Sequence, residues 1–376
     1  MTVSVHQFLA GAAPGDAITR YAFYLDRLMR RVGAGGALFA PGGAAWKELE
    51  NRVLPLKEYA RVAAPEDSVI YHYSTSSVAT EIFKRASGRR ILCYHNITPA
   101  RFFLPFSDGY AGLLREGREE LASLASSADL SLADSDFNRR ELEALGFERT
   151  RTLPLPLDGA YLETSPAKSM LRRLRDGAKN WLFVGRLVPN KRFEDLIRVF
   201  ALYRKEFEPR SRLVLAGDDA CVPAYTRFLR ARVAEWDLRA AVLFTGRVSL
   251  GELIACYRAA DAFVCLSRHE GFCLPVLESM ALGVPVFALD RAAVSETLGG
   301  AGVLLREAPP LETAALVHAV LSRPGRIESL RRRQRERASF FSEERFRERF
   351  FRALSPLVPE PAPIDSRSNL STPKEA

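Results

Sequence analysis

Two glutamates, Glu270 and Glu278, lie in the segment HEGFCLPVLESMALGVPV, residues 269–286. The apolar run before them, Ala262–Leu266, reads as a strand, and Pro275 suits the first turn of a helix. Glu270 then sits on the loop beyond the carboxyl end of a strand, and Glu278 about one turn inside the following helix. Ligands of open α/β sheets bind beyond those strand ends. The unpaired N–H groups of a helix start attract anions. Acids in these two places would flank a diphosphate and accept hydrogen bonds from sugar or ribose hydroxyls. The same spacing also suits an ordinary strand-to-helix turn with two solvated glutamates.

A second segment, FVGRLVPNKR (residues 183–192), supplies cations. Gly185 permits a tight turn after a strand, and Arg186 and Lys191 project from the loop. A planar guanidinium and a compact ammonium can together neutralise a pyrophosphate, or can be solvated members of an arginine-rich surface. His95, in ILCYHNITP, ends another apolar run and could bond a substrate, although a lone histidine is more often a structural partner. His72 and His6 end two further runs in the same half. No cysteine or carboxylate spacing near them reads as a metal site. Gly15 and Asp16, in GAAPGDAITR, open a helix towards a phosphate or sugar, or simply form a βα turn with an aspartate cap. The motifs of dinucleotide-binding folds, P-loop ATPases and α/β-hydrolases are missing from the sequence.

The elements that carry these residues alternate. In the first half, Val3–Leu9, Ser68–Tyr73, Arg90–His95 and Leu130–Ala133 read as strands. Ala17–Val32 and Asn138–Leu145 read as helices. LPLPLD, Leu153–Asp158, reads as a linker because its prolines disfavour helix. A second series follows: strands at Trp181–Val184, Arg212–Ala216, Ala241–Thr245, Ala262–Leu266 and Val284–Ala288, separated by helices. Such alternation predicts parallel sheets covered on both faces. Residues 323–352 read as a basic helical stretch, with 11 Arg against 5 Glu. Phe346 and Phe350 share one of its faces. The proline- and serine-rich end reads as a disordered tail.

A length of 376 residues suits two domains. A net charge of +9 would suit nucleic acid, anionic lipid or phosphorylated small molecules. The five cysteines form no C-x-x-C pair and read as reduced thiols of a cytoplasmic protein. Neither a signal peptide nor a membrane-crossing run is evident, so membrane contact is expected to be peripheral at most.

Taken in order, Gly185-Arg186 with Lys191, AGDD (Ala216–Asp219), FTGRVSLGELIACYRAADAFVCLS and Glu270–Glu278 resemble the group-1 glycosyltransferases, the retaining enzymes of family 4. The resemblance is strong over Trp181–Leu305 and weaker before it. It implies the GT-B architecture: two Rossmann-like doubly wound parallel-sheet domains facing across a cleft, with a C-terminal helix crossing back. The expected domains are residues 1–157, on the acceptor side, and 158–340, which bind the nucleotide sugar. A crossing helix at 341–355 and a disordered tail at 356–376 would follow.

The resemblance also implies roles. Arg186 and Lys191 would hold the donor diphosphate, Glu278 the ribose, and Glu270 the transferred sugar. Backbone around Val248 would face the base. The amides of Phe272–Leu274, following Gly271, would meet sugar and phosphate, with Gly15 and Asp16 as first-domain contacts. His95 would lie near the reacting carbon. Neither cofactor nor metal is implied. Cys273 departs from the pattern, standing where the family usually has glycine, and the opening HQF with GDAI resembles a bacterial subgroup associated with mannosyl transfer. The expected partners are a nucleotide sugar, GDP-mannose first and UDP-sugars next, and a glycan or polyprenyl-diphosphate-linked acceptor. An anionic membrane could meet the basic helix, which could equally pack back on the protein. A nucleotide-sugar epimerase is the alternative enzyme. A nucleic-acid-binding protein is suggested by charge alone, without an aromatic-basic module.

Overall fold

The computed structural model describes residues 4–42, 49 and 51–355. The expected disordered tail, residues 356–376, lies outside the described residues. The first seven strands are β1 (Val5–Leu9), β2 (Gly35–Ala40), β3 (Leu54–Pro55), β4 (Ser68–Tyr73), β5 (Arg90–Tyr94), β6 (Leu130–Ala133) and β7 (Thr150–Thr152). They form one sheet in the order β3-β2-β1-β4-β5-β6-β7. The next six are β8 (Lys179–Val184), β9 (Ser211–Ala216), β10 (Val242–Gly246), β11 (Ala262–Cys265), β12 (Val286–Leu289) and β13 (Val303–Leu305). They form a second sheet in the order β10-β9-β8-β11-β12-β13. The described pairings in both sheets are parallel.

Parallel sheets bury both faces, so their strands read as near-continuous apolar runs. Every residue of β1, β4, β11 and β12 is buried. Trp181 of β8 is fully buried and packs on Phe200 and Tyr203 of the helix Phe193–Glu206. Phe183, two residues on, meets Phe193 and Phe263. The histidines of β1 and β4 and Gln7 are paired instead: His6 Nε2 with Asp67 Oδ2 at 3.2 Å, and His72 Nε2 with Gln7 Oε1 at 2.8 Å. Both histidines are therefore held by structural partners.

The strand order of the second sheet reverses at β8. The chain runs outward through β9 and β10, then returns to place β11 on the other side of β8. The carboxyl ends of β8 and β11 are neighbours at this reversal, and such switch points form the binding crevice of open α/β sheets.

Four strands were not read from the sequence. β2 (GGALFA) opens on two glycines, and β3, β7 and β13 are only two or three residues long. Short edge strands lack the periodicity that identifies longer ones. The basic stretch expected as one helix over 323–352 is two helices, Pro324–Ser339 and Glu343–Leu354. Much of its first part works internally. Arg331 donates to the carbonyl of Gly283, and Arg337 to those of Thr297 and Glu296.

The chain divides into two compact units, residues 1–72, 77–92 and 349–376, and residues 73–76 with 93–348. Residues 153–158, the LPLPLD segment, have no regular structure, and Leu157 donates its N–H to the carbonyl of Phe341.

Gln334 is fully buried and serves the start of β12: its Oε1 accepts from Val286 N at 3.1 Å, and its Nε2 donates to Val284 O at 2.7 Å. Gln334→Leu would leave both backbone groups buried and unpaired, at 1–3 kcal/mol each. Urea denaturation should show a loss of about 2–6 kcal/mol; unchanged stability would mean that the two groups find other partners.

Candidate functional site

Two glycine turns shape the end of β8. Gly185 and Gly217 both have φ of 147°. A Cβ on Gly217 would lie 2.2 Å from the carbonyl oxygen of Gly185, and one on Gly185 would lie 3.2 Å from Lys191 Nζ. Only the unsubstituted backbone lets the two loops touch and leaves room for the lysine. Lys191 follows the turn and folds back to donate to Glu270 Oε1 at 2.7 Å; both side chains are nearly nine-tenths buried.

Asn190 makes this meeting possible. Its side chain donates to the carbonyl of His269 at 2.9 Å, and its own carbonyl accepts from Arg268 N at 2.9 Å. Burial disfavours the Lys191 ammonium, but the adjacent Glu270 outweighs it and raises the pKa above the ordinary lysine value. The lysine thus stays charged in a place where charge is expensive. Removing one partner of such a pair strands the other, a cost of about 3–5 kcal/mol.

Beyond Glu270 the chain turns sharply into the helix Leu274–Ala281. Cys273 precedes that helix with φ 68° and ψ 64°, the left-handed region. A residue bearing a Cβ pays roughly 1–2 kcal/mol there, and glycine pays almost nothing. The expected departure from glycine therefore falls on a position where glycine has a conformational advantage. The Cys273 side chain is buried beside Cys265 of β11, and one ligand atom each of Cys265, Glu270 and Cys273 lie within 4.8 Å of one another. A hydrogen bond from Cys273 holds the Cys265 thiol below its usual range. Glu278 is buried inside the helix and accepts from Tyr257 Oη at 2.7 Å. Burial, with Glu278 next, pushes the Tyr257 phenol well above its ordinary value, so it remains a donor.

The loop bearing Glu270 is also fixed from the far side of its own compact unit. Asn96, left-handed at φ 73°, donates through Nδ2 to Asn138 Oδ1 at 2.9 Å and Glu141 Oε2 at 3.0 Å. Its Oδ1 lies 2.7 Å from His269 Nε2. Ser135 Oγ donates to the carbonyl of Gly271 at 2.7 Å. A Cβ on Gly271 would come within 2.5 Å of Asn96 Cβ, so glycine is what admits this close approach. His95 is next to the same cluster in sequence, and its Nδ1 meets Asp134 Oδ2 at 2.9 Å. If the carboxylate accepts the Nδ1 proton, it fixes the ring and its tautomer.

Glu270, Gly271, Phe272, Cys273, Leu274, Glu278, Gly185, Arg186, Lys191, Val248 and His95 all fall in the second compact unit. Of these, Lys191, Glu270 and Cys273 are in one cluster, and Gly185 borders it. Arg186 is exposed and donates to Tyr110 Oη at 3.4 Å. Val248 is half-buried beside Arg247, which pairs with Asp218 at 2.8 Å. Gly15 and Asp16 belong to the first unit. There Asp16 caps the helix Ala17–Arg31 by accepting from Thr19 N at 2.9 Å, the structural role that the sequence allowed. Sequence reasoning missed Asn190, Asn96, Asp134 and Tyr257. Each acts by pairing with a residue far away in the chain, and no local pattern announces that.

Residues 172–339 match the family model described as "Glycosyl transferases group 1". The chain is 32% identical over 238 residues to D-inositol 3-phosphate glycosyltransferase of Kineococcus radiotolerans, covering 58% of this chain and 55% of that protein. It is 30% identical over 202 residues to O-antigen chain mannosyltransferase B of Escherichia coli, covering 51% of each. The chain thus spans about half the length of these curated relatives. Among solved structures, sucrose-phosphate synthase of Thermosynechococcus elongatus aligns with a TM-score of 0.74 at 18% identity, over 94% of this chain and 99% of that one. Anabaena HepE in complex with UDP and glucose aligns with a TM-score of 0.73, also at 18% identity, over 94% and 100%. At these identities the likeness establishes the fold, which is the GT-B fold expected from the sequence.

His269 gives the site a pH signature. Burial pushes its pKa down to about 4, with Glu141 and Glu270 opposing. Between about pH 6.5 and 4 the unfolded chain binds a proton that the folded chain refuses, so stability falls as pH falls. From about pH 7.5 to pH 5 this group should cost about 2 kcal/mol. In denaturation curves at the two pH values, His269→Gln should lose that component. An unaltered pH dependence would contradict the burial of a neutral His269.

Proposed function

We propose that this chain, whose residues 172–339 match the group 1 glycosyl transferases, is such an enzyme and transfers a sugar from a nucleotide-sugar donor with retention of configuration. One observation carries the reading: a buried, charged Lys191 held against Glu270 at the switch point of the second sheet. Glycosyl transfer from such a donor expels a nucleoside diphosphate. Preorganised cations at the developing charge lower the barrier by several kcal/mol. Lys191 supplies a fixed ammonium for this role, and Arg186 an exposed guanidinium on the same loop.

In this reading the C1–oxygen bond to the diphosphate breaks while the acceptor hydroxyl attacks from the same face. The hydroxyl proton passes to the departing phosphate oxygen, and the new C1–oxygen bond completes transfer. No enzyme nucleophile, cofactor or metal takes part. Glu270, already oriented by Lys191 and by the pinned Gly271 turn, accepts from hydroxyls of the transferred sugar. Amides of Phe272–Leu274 meet the sugar and phosphate, Glu278 the ribose, and backbone around Val248 the base. His95, held by Asp134, faces the reacting carbon and acceptor.

GDP-mannose is the leading donor, a choice supported by the O-antigen mannosyltransferase and by a relative named as a GDP-mannose-dependent alpha-mannosyltransferase. UDP-sugars are the alternative. The proposed acceptor is a glycan, free or carried on a polyprenyl diphosphate, in surface-polysaccharide synthesis. We assign the protein to the cytoplasmic side of the membrane, with peripheral contact at most. Among the described residues no helix is long and apolar enough to cross a membrane.

A thermal-shift panel of UDP, GDP, ADP and their sugars should single out one base, GDP by this account; indifference to all of them would refute the donor assignment. Lys191→Ala and Glu270→Ala should each lower transfer by at least about 100-fold, with circular dichroism confirming that the fold persists. Turnover within a few-fold of the parent in either variant would remove that residue from the site.

A further inference from the structure

The side chains of Cys265, Cys273 and Glu270 have no shared role in glycosyl transfer, yet they converge. A ligand atom from each lies within 4.8 Å of the others, and the two cysteines are free. In a tetrahedral thiolate site with bonds near 2.3 Å, sulfur atoms stand about 3.8 Å apart. Closing the cluster onto an ion therefore needs a contraction of no more than about 1 Å. Two sulfurs with one carboxylate select thiophilic divalent cations over magnesium or calcium. Cys273 holds its place despite the left-handed backbone that favours glycine. We propose that Cys265, Cys273 and Glu270 form an inhibitory site for a thiophilic divalent cation such as zinc, distinct from any requirement of the transfer reaction.

Charge supports the assignment. Binding releases two thiol protons, so a divalent cation with two thiolates and one carboxylate carries a net charge of −1. The Lys191 ammonium, already 2.7 Å from Glu270, balances that complex instead of repelling the ion. The partly exposed edge of Glu270 is the route of entry. Once bound, the ion holds the Glu270 carboxylate, which then no longer serves a sugar. This consequence rests on the proposed role of Glu270 in transfer; the binding itself does not.

The test is a cadmium(II) titration of the full chain under reducing conditions, followed by the ultraviolet thiolate-to-cadmium charge-transfer band. One equivalent should produce the band, and it should vanish in Cys265→Ala and in Cys273→Gly. Cys221 is the half-buried thiol outside the cluster, and Cys221→Ala should keep the band. Transfer by the parent should fall at least 10-fold with zinc and recover with a chelator. Cys265→Ala, with its basal turnover intact, should resist zinc. No band, or a band lost in Cys221→Ala and kept in Cys265→Ala, would overturn the site. A band with the expected cysteine dependence but no inhibition would retain the metal site and contradict the role of Glu270 in transfer.

Discussion

An ammonium and a carboxylate withdrawn from water, Lys191 and Glu270, set the terms for the second sheet. Neither charge is tolerable there alone, because desolvation of a single buried ion costs several kcal/mol. Their pairing explains features that otherwise look unrelated. Gly185 must lack a side chain so that the lysine can fold back. Asn190 must bond the backbone at residues 268–269 so that the two loops keep register. The strand order must reverse at β8 so that its carboxyl end and that of β11 are neighbours.

The pair also gives the site its chemical direction. A lysine ammonium has three donors, so an incoming anion can share or replace the carboxylate that holds it. Glu270 is oriented before any ligand arrives, so little reorganisation remains for binding. The Asn96–His269 contact and the Ser135–Gly271 bond serve the same end by fixing the Glu270 backbone from the opposite side. A neutral His269 suits this position, since a cationic imidazole would compete with Lys191 for the Glu270 carboxylate.

The alternation of apolar runs and helical patterns made both sheets legible in the sequence, and the ordered motifs located β8, β11 and the loops beyond them. Edge strands such as β3 and β13 were not legible, because two or three residues carry no period. The break in the basic helix was hidden by its uniform arginine content. Lys191 and Glu270 were both singled out, but their direct pairing was not, since a contact across 79 residues leaves no local trace. Cys273 was recognised only as a departure from glycine. Its left-handed backbone and its approach to Cys265 required the fold.

The most direct measurement is a crystal structure of the protein with a bound nucleoside diphosphate. The account predicts a phosphate oxygen within hydrogen-bond distance of Lys191 Nζ, at the carboxyl ends of β8 and β11. A diphosphate bound elsewhere, with the Lys191–Glu270 pair unchanged, would contradict it.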